Sequence, residues 1–124
     1  MEKIIIEVSD IKLEANLLDT ATASMIFDTL PLQGTANVWG DEIYFSIPVH
    51  IDQEPEAREE VEIGDLGFWP AGDAFCIFYG PTPVSTSDKP RAYSPVNIFG
   101  KIDGDATILK KVSSGEIVKV SASD

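Results

Sequence analysis

Of the side chains that carry most protein chemistry, this chain of 124 residues holds one histidine, His50, and one cysteine, Cys76. A lone histidine rules out a two-histidine metal site and a two-histidine, one-carboxylate triad. His50 follows Pro48-Val49 at the edge of an acidic stretch and reads as a surface or edge-strand residue, with a catalytic base as the alternative. Cys76 sits inside AFCIFY, where strand alternation puts it on one face with Ala74 and Phe78, opposite Phe75, Ile77 and Tyr79. Nothing near it in sequence would lower its pKa, so a buried, inert thiol is expected. No G-x-S-x-G elbow is present to activate a serine. Asp103-Gly104-Asp105 invites a calcium loop, but such a loop needs glycine where Ile108 stands and glutamate where Ser114 stands, so it reads as a turn. The glycines at 64, 67, 72 and 80 have no helix N-terminus behind them to hold a phosphate. No metal and no cofactor is therefore expected, and no catalytic residue is assigned.

The aromatic residues carry more information. Trp39, Tyr44, Phe45, Phe68, Trp69, Phe75, Phe78, Tyr79, Tyr93 and Phe99 fall on segments that read as neighbouring strands. Successive side chains of a strand face opposite sides, so Phe68 and Trp69 cannot both point inward, and neither can Tyr44 and Phe45. Some large rings must sit on the outside of the sheet. There they are either covered by the 48–60 or 80–95 segments, or they line a groove.

The elements that would hold these rings are mostly strands. IIIEV (4–8) and IKLEANL (11–17) flank Ser9-Asp10 as a hairpin with one buried face. Asp19 or Thr20 can cap a helix through 28–30 that places Ala23, Ile26, Phe27 and Leu30 on one side, and Pro31 ends it. TANVW (35–39) and EIYFSI (42–47) bracket Gly40-Asp41, a glycine-first pair suited to a tight turn. VEI (61–63), LGFWP (66–70) and AFCIFYG (74–80) follow as strands. The segment 80–95, with its four prolines, reads as a long surface loop. PVNIFGKI (95–102) is a strand with a bulge at Gly100, ATILKKV (106–112) a short helical segment, and EIVKVSA (116–122) the last strand. About eight short strands with one or two capping helices predict a mainly β domain spanning 1–124, folded as a closed eight-stranded antiparallel barrel.

Charge narrows the partners. The net charge is −12, and residues 1–88 hold 17 acids against three bases, Lys3, Lys12 and Arg58. Such a surface repels phosphate, so neither nucleic acid nor an anionic membrane is expected as a partner. The densest stretch, DQEPEAREEVEIGD (52–65), reads as a solvated loop. No apolar run reaches the roughly 18 residues of a membrane span, MEKIIIEVSD does not read as a signal sequence, and one cysteine excludes an internal disulfide. The expectation is a soluble cytoplasmic protein.

The strings WGDEIYFSIPV (39–49), EVEIGDLGFWPAGDAFCIFYGPTP (60–83) and SPVNIFGKIDGD (94–105) resemble, in order and spacing over nearly the whole chain, the small cyclophilin-like proteins of bacteria and archaea. The resemblance implies a cyclophilin-like eight-stranded barrel with helical caps. From the wider family it also raises peptidyl-prolyl isomerisation, which must lower a barrier of roughly 18–20 kcal/mol without a covalent step. That chemistry needs a guanidinium at the prolyl nitrogen, an apolar pocket and a clamp on the carbonyl. The Phe-His-Arg and Gln-Gly-Gly stretches of true cyclophilins have no counterpart here, and the two arginines, Arg58 and Arg91, lie in loop-like sequence.

Three functional expectations follow. The first is binding of a small molecule or short peptide in a groove on the barrel wall formed by Tyr44, Trp69 and Phe78, with Arg91 and Asn97 as polar anchors. The second is an atypical peptidyl-prolyl isomerase using Arg91 or Arg58. The third is a structural homo-oligomer whose exposed aromatics pair between copies.

Overall fold

The computed structural model describes residues 2–123. Ten strands follow one another as β1 (Lys3–Val8), β2 (Ile11–Leu17), β3 (Leu32–Thr35), β4 (Asn37–Val38), β5 (Glu42–Ser46), β6 (Arg58–Glu60), β7 (Asp65–Trp69), β8 (Ala74–Phe78), β9 (Arg91–Asp103) and β10 (Ile117–Ala122). A helix α1 (Ala21–Asp28) lies between β2 and β3, and a short 3-10 helix (Ala106–Lys111) between β9 and β10. All the pairings are antiparallel, in the order β3-β10-β1-β2-β9-β7-β8-β5-β4, with β6 added alongside β9.

This corrects the closed eight-stranded barrel. The sheet has ten strands, and its ladder is open between β3 and β4. The reason lies in the chain path. The two edge strands are consecutive, separated only by Ala36, so the seam between them is crossed by the covalent chain. Ala36 donates to Glu116 O at 2.8 Å and accepts from Gly115 N at 2.9 Å, and Val38 N reaches Ser114 Oγ at 2.9 Å. The stretch expected as the single strand 35–39 thus changes partner midway, from β10 to β5.

Two apolar layers result from strand alternation on β5, β7, β8 and β9. The inner layer takes Ile43 and Phe45, Leu66 and Phe68, Phe75, Ile77 and Tyr79, and Phe99, together with the buried residues of β1, β2, β10 and α1. The outer layer holds Ala74, Cys76 and Phe78 of β8 with Val61, Ala92 and Val96, and Tyr44, Trp69 and Ile98 pack against it. Strand β8 is buried on both faces, which explains why AFCIF contains no charge.

The first half of β9 makes this second layer. Its later residues pair with β7 and β2, whereas Arg91 and Val96 pair with β6. Pro95 falls where the β6 ladder is irregular, which removes the need for its missing N–H. Strand therefore begins at Arg91, four residues before the expected start, and Arg58–Glu60 forms a strand where 61–63 was expected to. Val96 crosses β7 at Gly67, where a Cβ would stand 2.9 Å from its Cγ2 and 3.3 Å from the Phe78 ring. Further along, the β7–β9 ladder slips by one residue between Ile98 and Gly100, beside the glycine where a bulge is expected.

Helix α1 starts at Thr20, whose hydroxyl accepts from Ala23 N at 3.0 Å, and it buries Ala23 and Ile26. No helix among the described residues is long and apolar enough to cross a membrane.

Candidate functional site

The outer layer leaves one concavity, of about 230 Å³, lined by Trp39, Glu42, Tyr44, Trp69, Cys76, Ala92, Tyr93 and Val96. The hairpin turn aligns two of its lining residues. Trp39 and Glu42 exchange both backbone hydrogen bonds, at 2.9 and 3.2 Å, around Gly40-Asp41. Gly40 has φ +59°, which a glycine-first turn requires. Residues facing each other across such a turn share a side of the sheet, so Trp39 and Glu42 point the same way. Tyr44, two residues on, joins them, and Cys76 lies directly opposite Tyr44 on β8.

Three rings frame the mouth. Tyr93, 71% exposed, stands edge-on to Trp39 (centroids 6.2 Å apart, planes at 71°) and to Trp69 (6.1 Å, 82°). The Trp69 indole N–H donates to Ser94 Oγ, which locks that ring to β9.

Glu42 is the anomaly of this apolar wall. It is 5% exposed, and its Oε1 is the one buried side-chain nitrogen or oxygen among the described residues without a hydrogen-bond partner. Burial pushes its carboxyl up to about 7, and the neighbouring Cys76 thiol pulls it back slightly. The thiol itself is driven well above its usual range by burial first and by the Glu42 charge second. Its own geometric contact is a weak one, to Ala74 O at 3.8 Å. Behind the wall, Tyr79 is pushed up to about 12 by burial, with Asp41 and Glu42 adding to the effect.

The five residues expected to form the groove separate into two groups. Tyr44 and Trp69 line the pocket. Phe78 is on the same face but fully buried beneath it, packed in the outer layer. Arg91 is held by Glu59 at 2.7 Å, and Arg58 lies 3.9 Å from Asp65; neither guanidinium lines the pocket. Asn97 is fully buried on the inner side. Its Oδ1 accepts from Glu54 N at 2.8 Å, and its amide donates to Thr22 Oγ1 at 3.2 Å and to Asp52 O at 3.0 Å. It fastens the acidic segment to the start of α1, where the Glu54 carboxylate also receives the Thr22 hydroxyl.

Trp39, Glu42, Cys76 and Tyr93 also contribute to the pocket but were not expected there. The alternation of EIYFS contains the signal for Glu42, because any ring direction assigned to Tyr44 applies to it as well.

Elsewhere, His50 is exposed, with Nδ1 2.6 Å from Asp73 and Nε2 3.2 Å from Asp52. The Asp73 carboxylate chiefly raises its pKa. Asp103-Gly104-Asp105 is a turn, and Asp105 caps the 3-10 helix by accepting from Thr107 N at 3.0 Å. No group of three or more His, Cys, Asp or Glu among the described residues is placed to hold a metal ion.

Comparison with known proteins places the whole arrangement. No curated protein matches the chain. The solution structure of the hypothetical protein AF2241 from Archaeoglobus fulgidus is similar, with 37% sequence identity and a TM-score of 0.82, over 98% of this chain and 95% of that one. The family model described as Cyclophilin-like matches residues 2–121. This chain belongs to the cyclophilin-like family.

Proposed function

We propose that the protein binds a small ligand in the pocket on the outer wall of β5, β8 and β9, and that it does so without prolyl-isomerase machinery. The observation that carries this reading is the buried Glu42 carboxyl, whose Oε1 has no hydrogen-bond partner, in a pocket whose other walls are apolar and aromatic residues, Trp39, Tyr44, Trp69 and Tyr93 among them. Leaving a buried polar atom unpaired costs roughly 1–3 kcal/mol, and a core position would be better served by an apolar residue. Such a group in a concave apolar site supports a binding role. The volume of about 230 Å³ is below the roughly 300–1,000 Å³ of sites for drug-sized ligands. It suits a single side chain or a small metabolite.

Isomerisation is not part of the proposal. Its central requirement is a free guanidinium beside the apolar site, whereas both arginines lie against carboxylates and neither lines the pocket. The test is a fragment library titrated into isotope-labelled protein. Binders are expected to move the indole N–H signals of Trp39 and Trp69 first. Binders that move only other regions, or a library with no binders, would overturn the reading.

A further inference from the structure

The pocket combines two features that seldom meet on an apolar wall. Its sides are largely aromatic rings, and its polar group is an acid. Trp39 and Trp69 both stand nearly perpendicular to Tyr93 at about 6 Å, and Tyr44 lies on the same face as Glu42, so four rings border a space containing one carboxyl. A neutral ligand could hydrogen-bond the acid but would leave its negative charge unbalanced in an apolar site. An anion would be repelled by it, and by the carboxylates of a chain with net charge −12. A strongly hydrated cation such as a primary ammonium would have to lose its water to enter. An alkylated ammonium has already exchanged most of its N–H groups for methyl surface, so it enters at less cost, and the ring faces attract its diffuse charge within about 6 Å of their centroids.

Resting on the pocket reading above, we infer that the ligand is a small organic cation with a methylated ammonium head, caged by Trp39, Tyr44, Trp69 and Tyr93 and neutralised by the Glu42 carboxylate. The Glu42 carboxyl, whose Oε1 lacks a hydrogen-bond partner, then serves as the counter-ion. Tyr93, exposed and in edge contact with the two tryptophans, forms the outer wall of the cage.

Binding of a cation favours the ionised form of Glu42, so the site takes up the ligand and releases a proton. The titratable groups facing Glu42 are Cys76 on β8, Tyr44 on β5, Tyr93 on β9 and, behind the wall, Tyr79 and Asp41. Cys76 and Tyr79 are raised above their usual ranges and stay protonated. With the Glu42 carboxyl at about 7 in the free protein, apparent affinity is about tenfold lower at pH 6 than at pH 8.

The experiment is calorimetric titration with choline and with its neutral carbon isostere, in which a tert-butyl group replaces the trimethylammonium, at both pH values. Choline binding at least tenfold tighter than the isostere at pH 8, with that advantage falling about tenfold at pH 6, is the expected result. Glu42→Gln, close in shape, should lose the pH dependence and at least tenfold in choline affinity. Tyr93→Ala, at an exposed position that leaves the core intact, should weaken choline severalfold. An isostere that binds as well as choline would overturn the cation assignment while leaving a ligand pocket in place. Silence from both compounds would also overturn it, and the pocket itself would then stand or fall by the fragment titration. A trimethyllysine peptide binding more than tenfold tighter than choline would transfer the cage from a free metabolite to a protein side chain, and so would overturn the small-molecule assignment.

Discussion

Replacing Glu42 by glutamine changes one atom and removes one titration. In the unfolded chain this carboxyl titrates near its ordinary value of 4.5, and in the folded protein burial pushes it up to about 7. Between those values the folded state keeps a proton that the unfolded state has released, so stability falls as pH rises through the interval and is level above it. At 1.36 kcal/mol per pKa unit, the full span corresponds to about 3 kcal/mol. Because the side chain is 5% exposed, solvent screening takes little from that figure. Glutamine stays neutral throughout and so does not pay this cost. Urea unfolding of both proteins at pH 5 and pH 8 isolates the effect, since every other group titrates in both and cancels in the double difference. Glu42→Gln should gain about 2–3 kcal/mol on wild type in going from pH 5 to pH 8. Any constant offset from the new amide does not enter the comparison. A difference that stays within about 0.5 kcal/mol across the range would refute a buried, proton-holding Glu42.

Other expectations concern the groups around this site. Asn97→Ala leaves Glu54 N and Asp52 O without their partner and takes one of the hydrogen bonds of Thr22 Oγ1, and should cost about 2–4 kcal/mol in chemical denaturation while leaving the Trp39 and Trp69 indole signals in place. The His50 imidazole should titrate above its ordinary 6.5 by NMR, and Asp73→Asn should return it toward that value more than Asp52→Asn does. The Cys76 thiol, buried and held in its protonated form, should resist a thiol-reactive dye in the native protein and react fully once unfolded.

The amino-acid sequence revealed the β class, the helix, with Thr20 as one of two candidate caps, and the split of AFCIFY into two faces, because each rests on local pattern. Phe75, Ile77 and Tyr79 do face inward, and Ala74, Cys76 and Phe78 outward. Less legible was how the sheet ends. Whether 35–39 forms one strand or two depends on Ser114 and Glu116 capturing Ala36 and Val38, a contact nearly eighty residues away along the chain. The same limit applied to the site. Alternation put Tyr44 and Trp69 on the outer wall, but which outward residues are open depends on the second layer that β9 lays over β7 and β8. That layer covers Phe78 and leaves Trp39 and Glu42 lining the pocket. Arg91, one of few cations in an acidic chain, and Asn97 were expected as polar anchors of the groove. Their partners, Glu59 in one case and the 52–54 segment in the other, come from the acidic stretch whose local sequence suggests only a solvated loop.

The most direct measurement is the titration of the Glu42 carboxyl carbon by NMR, in the free protein and with saturating tetramethylammonium. The free protein should show a midpoint near 7. The cation should lower it by about one unit or more, as linkage between proton and ligand requires. A midpoint near the ordinary 4.5 in the free protein, or one that the cation leaves unmoved, would contradict a caged cation paired with a buried acid.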